Sequence, residues 1–253
     1  MMLKAVDRHV MENWQRLYIR RWLQAPIQHP DGSIEHKTQG IPQVLSVLAN
    51  LYLHYVFDIW MAKHYPQIPF VRYADDIVCH CETQLEAEKL QDALTERFAQ
   101  CRLMLHPDKT KIVYCKNWKH KGKYERISFD FLGFTFRPRL IKIRSGKLMV
   151  CFLPAISQKA SKRIRDTINS WAWTAWIHME MADIIQFAYS KLTGWLVYYG
   201  KFGLGLTKHI LFHFDQKLNC WVKRKYKSIK TKAQAVKKII LFKFRNPELL
   251  PHW

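Results

Sequence analysis

Acidic residues are scarce in this sequence, since 20 Asp and Glu stand against 41 Lys and Arg and leave a formal net charge of +21. An excess of positive charge this large predicts a polyanionic partner, usually nucleic acid, with an anionic membrane as the alternative. The hydrophobic fraction of 49% argues against a disordered basic tail and predicts a folded core. A length of 253 residues allows one or two domains.

Long apolar runs and leader signals are also missing. No apolar run reaches the roughly 18 residues that a membrane-spanning helix needs, and residues 1–7 carry neither an apolar core nor a cleavage pattern. We therefore expect a cytoplasmic protein without a membrane partner. Of the six cysteines only Cys79 and Cys81 lie close together, and no second close pair completes a zinc-type set. Reduced thiols are favoured over a metal or disulfide role.

Two adjacent carboxylates, Asp75 and Asp76, interrupt an apolar stretch. Phe70 to Tyr73 leads into the pair and Ile77-Val78 leads out of it, a pattern typical of two strands joined by a tight turn. Such a turn holds both carboxylates at a sheet edge, where hard divalent cations can bind through oxygen. The alternative is a solvated turn without function, and only the flanking sequence can decide between the two.

Helical patterns precede this turn. From Leu3 to Leu23 the apolar and aromatic residues recur at the spacing of one amphipathic helix. Residues 44–57 are apolar on most sides, which predicts a helix buried against a sheet. A polar stripe at four-residue intervals follows this second helix and is either satisfied internally or faces a substrate; its members are Asn50, His54 and Asp58.

Further elements are predicted after the turn. Residues 84–103 have helical periodicity, and Lys111 to Tyr114 has the composition of a strand. Phe129 to Phe136 alternates aromatic and small residues as a strand–turn–strand, in which Gly133 permits a tight bend or a close backbone approach. Ser157 is suited to cap a helix that runs to Ser170.

The last third of the chain concentrates the positive charge. Between Lys201 and Arg245 there are thirteen Lys or Arg and a single acid, Asp215, and aromatic residues alternate with the bases. This mixture suits phosphate contacts combined with base or ribose packing. The alternative is a solvated basic face of a helix predicted for Leu211 to Tyr226.

Taken in order, these segments resemble the reverse transcriptases encoded by group II introns, over nearly the whole chain. Phe70 to Val78 resembles the Tyr-Ala-Asp-Asp hairpin of that family's palm. The other matching segments are Gly40 to Gln43 with Ala49 to His54 (the loop and helix that support template and nucleotide), Leu105 to Thr110 (the next palm element), Phe131 to Phe134 (the primer-gripping hairpin), and Gly194 to Gly200 with Pro251 to Trp253 (the maturase-specific domain).

The resemblance implies an α+β fold with two parts. Residues 1–145 would form a partial palm, an antiparallel sheet with packing helices that lacks the fingers and the first palm strand. Residues 146–253 would form a helical thumb and maturase-specific domain that binds the intron RNA and assists its splicing. The implied activity is RNA-directed DNA synthesis on an RNA template with a DNA primer, and a separate amino-terminal fragment is a further possible partner.

The resemblance also implies the site residues. Asp75 and Asp76 would bind Mg²⁺ in a two-metal site, which stabilises the attacking and leaving oxygens of phosphoryl transfer. Lys109 would neutralise phosphate charge during transfer. The implied substrate and nucleic-acid contacts are Tyr73, Gln43, Asn50, Gly133, Lys223, Arg224 and Lys225.

Two departures from the family pattern bear on activity. The family's third carboxylate comes from a palm strand upstream of the helix that begins here near Leu3, so the implied Mg²⁺ site is incomplete and binds weakly. Gln43 is followed directly by Val44, without the two small residues usual in the family, which puts nucleotide positioning in doubt. Three interpretations stay open: a polymerase part that needs a separate amino-terminal piece, a non-catalytic RNA-binding maturase fragment, and the remnant of a mobile element.

Overall fold

The computed structural model describes residues 2–35, 46–119, 122–143 and 145–253. The predicted nucleotide-supporting loop with Gln43 lies outside these residues. The chain forms two compact units, residues 1–112 and 113–253. Small antiparallel sheets combine with helices, and the carboxyl-terminal region is helical, so the predicted α+β class is confirmed.

The described residues of the first unit form five α-helices and two hairpins. The helices are α1 (Met2–His9), α2 (Asn13–Gln24), α3 (Ser46–Leu53), α4 (Ile59–His64) and α5 (Gln84–Gln100), and the antiparallel strand pairs are β1 (Ile27–Gln28) with β2 (Ile34–Glu35) and β3 (Phe70–Tyr73) with β4 (Asp76–Cys79). A π-helical turn, His54–Asp58, joins α3 to α4.

The single helix predicted from Leu3 to Leu23 is wrong, because α1 and α2 are separate. Glu12 has an extended backbone, with φ −82° and ψ 129°, immediately before α2. The Arg16 side chain donates to the Val10 carbonyl at 2.6 Å, which satisfies an acceptor at the break that a continuous helix would have used.

The helix predicted for residues 84–103 is confirmed as α5. Thr83 caps it by accepting a hydrogen bond from the Glu86 amide at 3.1 Å. Arg102 takes a left-handed φ of 57° and the Leu103 amide bonds back to the Phe98 carbonyl, a closure that ends the helix at Gln100. Its apolar face joins the core of this unit, whose buried members are Val56, Phe57, Met61, Ile68, Leu90, Leu94, Phe98 and Cys101.

The second unit contains a three-stranded antiparallel sheet in the order β5 (Phe129–Phe131), β6 (Phe134–Lys142), β7 (Leu148–Ile156). The strand predicted for Lys111 to Tyr114 is wrong. One backbone bond, from the Tyr114 amide to the Arg126 carbonyl at 2.9 Å, ties this segment to its neighbour. A single bond does not make a ladder, so the segment has no strand pairing.

In the described part of the second unit there are four α-helices, α6 (Gln158–Asn169), α7 (Met181–Gly200), α8 (Leu204–Lys225) and α9 (Lys232–Arg245). Two short 3₁₀ helices, Ala175–His178 and Pro247–Leu249, lie between α6 and α7 and after α9. Ser157 caps α6 as predicted, accepting from the Ala160 amide at 3.1 Å. The helices enclose one apolar cluster, whose most buried members include Ile168, Ile184, Leu192, Leu211, Phe214, Leu218, Trp221 and Ile239. Among the described residues, no helix is long and apolar enough to cross a bilayer.

The last residues of the chain are hydrogen-bonded to α8. Asp215 is buried, and its two oxygens meet His252 Nε2 at 3.1 Å and Trp253 Nε1 at 2.9 Å. A buried carboxylate without such partners would be costly. These contacts therefore tie the segment Pro251 to Trp253 to the helical core.

Candidate active site

The two carboxylates lie on the tip of the β3–β4 hairpin. Tyr73 pairs with Asp76, so Ala74 and Asp75 form a two-residue loop. Ala74 has a φ of 53°, a left-handed value that non-glycine residues seldom adopt. Asp75 and Asp76 are both exposed, as is Tyr73 beside them. The predicted hairpin is confirmed, and it presents its two carboxylates to solvent.

Arg72, on strand β3, stabilises this loop by hydrogen bonds. Its Nη1 donates to the Ala74 carbonyl at 3.0 Å. Its Nε and Nη2 donate to the two oxygens of Asp58 at 2.7 and 2.6 Å. A bidentate, charge-assisted pair of this kind is strong and directional. The carbonyl of the strained Ala74 is thereby fixed to the helical segment that carries Asp58.

Two members of the polar stripe of the preceding helix, Asn50 and Asp58, accept hydrogen bonds from Arg72. Asn50 Oδ1 accepts from Arg72 Nη1 at 3.0 Å, and His54 Nδ1 lies 3.1 Å from Asp58 Oδ2. Of the two possibilities that the sequence left open, the structure therefore shows the internally satisfied stripe. The π-helical turn from His54 to Asp58 shifts the register of the helix at this point, and such turns are frequent at functional sites.

Arg72 is the residue that the sequence reasoning missed. Two signals pointed towards it: its position directly before Tyr73, and a polar helix stripe that lacked a partner in the sequence. Burial acts to raise the pKa of Asp58, but the hydrogen bonds from Arg72 and His54 outweigh it and lower that pKa. The hydrogen bond with Asp58 in turn raises the pKa of Arg72. The pair therefore stays ionised through neutral pH.

The donor chemistry of the tip suits Mg²⁺, because adjacent carboxylates supply the oxygen ligands that this hard cation prefers. Asp75 and Asp76 are the residues that could hold it. In the part of the chain that the structure describes, no group of three or more metal-ligating side chains occurs. The described residues thus provide two ligands for such an ion.

Lys109 lies in an exposed turn after α5, where its amide donates to the His106 carbonyl at 3.2 Å. Tyr73, Asp75 and Asp76 are brought together on one hairpin, and Asn50 is connected to them through Arg72. Gln43 lies outside the described residues.

Gly133 occupies the tip of a second hairpin, between β5 and β6. Phe131 pairs with Phe134, so Leu132 and Gly133 form a two-residue loop. Gly133 has a φ of 80°, and a Cβ at this position would lie 3.0 Å from the Tyr199 hydroxyl oxygen. Both reasons that the sequence offered for a glycine here, a tight bend and a close approach, apply.

The three consecutive bases at the end of α8 differ in their surroundings. Lys223 and Arg224 are exposed. The Lys225 side chain is only 15% exposed, and its ammonium donates to the Met179 carbonyl and to Glu180 Oε1, the latter at 2.8 Å. Lys225 is therefore committed to contacts within the protein, whereas its two neighbours face solvent.

Comparison with known families matches two regions of the chain. A family described as reverse transcriptase (RNA-dependent DNA polymerase) matches residues 5–136. A second, described as the group II intron, maturase-specific domain, matches residues 161–240. No curated protein matches the chain.

Proposed function

Because the chain belongs to the reverse transcriptase family and carries a group II intron maturase-specific domain behind the polymerase region, we propose that it takes part in RNA-directed DNA synthesis. The observation that carries this proposal is the β3–β4 hairpin, whose exposed Asp75 and Asp76 share a tip anchored by Arg72. Residues 1–145 would serve as the partial palm, and residues 146–253 as thumb and maturase-specific domain.

Each side chain at the tip has a proposed task. Asp75 is the first metal ligand and Asp76 the second; bound Mg²⁺ would stabilise charge on the attacking and leaving oxygens of phosphoryl transfer. Tyr73 packs against the nucleic acid strand, and Lys109 neutralises phosphate charge. Gln43 contacts template or nucleotide, Asn50 acts on the tip through its hydrogen bond with Arg72, and Gly133 lies in the primer-gripping hairpin. A separate amino-terminal fragment that carries the family's first palm strand is a proposed partner and would supply a third carboxylate.

A second candidate function is intron RNA binding without catalysis. It is favoured by the match of residues 161–240 to the maturase-specific domain and by the exposure of Lys223 and Arg224. Such cations bind phosphate and release counterions, which gives affinity without sequence information. Discrimination for intron RNA would have to come from its shape and unpaired bases.

Primer extension on an RNA template tests the first function, with the chain alone and with the amino-terminal fragment added in excess. We expect extension in the presence of the fragment, and Asp75→Ala should abolish it. The matched control is Asp92→Ala, which removes an exposed carboxylate from α5 and should leave extension intact. Absence of extension under every condition, or full activity of Asp75→Ala, would remove the polymerase proposal.

Binding to intron RNA tests the second function. At moderate salt the chain should bind its intron RNA far more tightly than an unrelated RNA of equal length. The double variant Lys223→Gln/Arg224→Gln should weaken binding, whereas Lys89→Gln on α5 serves as the charge control. Equal affinities for the two RNAs would leave only the non-specific electrostatic contribution and contradict a maturase role.

A further inference from the structure

The β5–β6 loop adopts a backbone that its own sequence disfavours. Leu132 and Gly133 have φ values of 49° and 80°. Hairpin loops with two positive φ values usually take Asn-Gly or a similar pair. A bulky residue such as leucine is an outlier there, and outliers of this kind persist only where the surroundings over-determine them.

Both carbonyls of this loop accept hydrogen bonds from outside the hairpin. The Tyr198 hydroxyl donates to the Leu132 carbonyl at 2.8 Å. The Ser157 amide donates to the Gly133 carbonyl at 2.9 Å. The loop is therefore held from two directions, by α7 and by the residue that caps α6.

Aromatic packing reinforces these bonds. Phe134, the first residue after the loop, is only 6% exposed. Its ring centroid lies 5.2 Å from Tyr198, 5.4 Å from Tyr199 and 5.3 Å from Phe202. The Tyr199 hydroxyl oxygen also fills the space that a side chain at Gly133 would need. The end of α7 therefore packs against the loop, and together with Phe202 it packs against Phe134, the residue that follows the loop.

This contact joins the two regions matched by different families. The hairpin falls within the reverse transcriptase match, residues 5–136, whereas the two tyrosines fall within the maturase-specific match, residues 161–240. Both belong to the same compact unit.

We propose that Tyr198 and Tyr199 are positioning residues, through which α7 locks the Leu132-Gly133 loop in the conformation that holds the primer end. The proposal rests on the proposed polymerase function for the role of the hairpin. The maturase-specific region is then part of the primer-binding apparatus, in addition to any contact that it makes with intron RNA.

Tyr198→Phe tests the lock, because it removes the donor and keeps the ring. We expect amide exchange over residues 129–136 to accelerate about fivefold, the size of one lost hydrogen bond. Affinity for an RNA–DNA heteroduplex with a recessed primer end should fall by a similar factor, while intron RNA binding stays unchanged and the thermal midpoint falls by only about 2–4 °C. The control is Tyr189→Phe, on the same helix, whose hydroxyl bonds to no described residue.

A second variant separates positioning from simple stability. Leu132→Asn places in the loop a residue that tolerates a left-handed backbone. Combined with Tyr198→Phe, it should restore slow exchange and heteroduplex affinity, because the loop no longer depends on the hydroxyl.

If amide exchange over residues 129–136 is unchanged in Tyr198→Phe, the Tyr198 hydroxyl does not stabilise the loop and the proposal is wrong. Faster exchange with undiminished heteroduplex affinity would overturn the positioning role. Neither measurement requires catalysis, so failure of the wild-type chain to extend a primer even with the amino-terminal fragment present would refute the polymerase proposal separately.

Discussion

Arg72 should contribute more to the β3–β4 hairpin than any surface ion pair of the same unit. Charge-assisted hydrogen bonds each contribute about 1.5–3 kcal/mol, and Arg72 makes two of them to Asp58, at 2.7 and 2.6 Å. The side chains are 12% and 21% exposed, so part of this energy is screened by solvent. We expect a coupling free energy of about 2–3 kcal/mol in a double-mutant cycle.

The cycle combines Arg72→Ala and Asp58→Ala, read out by native-state amide exchange over residues 70–79. Loss of the pair should accelerate exchange there by about 30- to 150-fold. Arg20→Ala with Asp7→Ala is the matched control, since that pair is separated by 3.2 Å and its side chains are 51% and 37% exposed. The control cycle should give about 0–1 kcal/mol. A coupling for Arg72 and Asp58 no larger than the control would refute the anchoring role.

The same pair predicts the pH dependence of the hairpin. Asp58 has a lowered pKa in the folded chain, below its unfolded value of about 3.9. Its contribution is therefore fully present above the unfolded pKa and is lost as the pH falls through the folded one. Amide exchange over residues 70–79 should show no change due to Asp58 between about pH 5 and 8, and should accelerate as the pH falls below about 4, where Asp58 becomes protonated. This acceleration in acid should be absent from Asp58→Ala.

Three further predictions concern stability and reactivity. His252→Ala leaves the buried Asp215 with one hydrogen-bond partner fewer and should destabilise the second unit by about 1–3 kcal/mol, measured by urea unfolding. A loss below about 0.5 kcal/mol would contradict a structural role for that contact. Thr231→Ala removes the hydrogen bond that Thr231 Oγ1 accepts from the Gln234 amide, one of the two bonds of the α9 capping box. It should cost about 1 kcal/mol, whereas Thr95→Ala, at an exposed site within α5, serves as control. Burial raises the pKa of Cys79 to about 12. Alkylation at pH 8, followed by mass spectrometry, should therefore modify the exposed Cys220 well before Cys79. Equal alkylation rates of the two cysteines would contradict the burial of Cys79.

The parts of the fold that follow local rules were predictable from the sequence. The Asp75–Asp76 hairpin, the start of α5 and the Ser157 cap each depend on residues within a few positions of one another. The bend at Gly133 likewise needed only its alternating neighbours and a glycine.

The parts that failed depend on partners that a local sequence pattern does not specify. The break between α1 and α2 is supported by a side-chain bond from Arg16 that periodicity cannot express. Lys111 to Tyr114 has the composition of a strand but lacks a paired neighbour. Lys225 looks like its neighbours Lys223 and Arg224, and only the packing of α8 beside Glu180 distinguishes it.

The two hairpin loops are held by contacts of very different span, which bears on how the chain folds during synthesis. Arg72 reaches Asp58 across 14 residues, so the carboxylate hairpin can lock soon after it leaves the ribosome. The Leu132 carbonyl is hydrogen-bonded by Tyr198, which is synthesised 66 residues later. Because domains fold as the chain emerges, a nascent chain ending before α7 would have its carboxylate tip in place, whereas the β5–β6 loop would still lack its hydrogen bond from Tyr198.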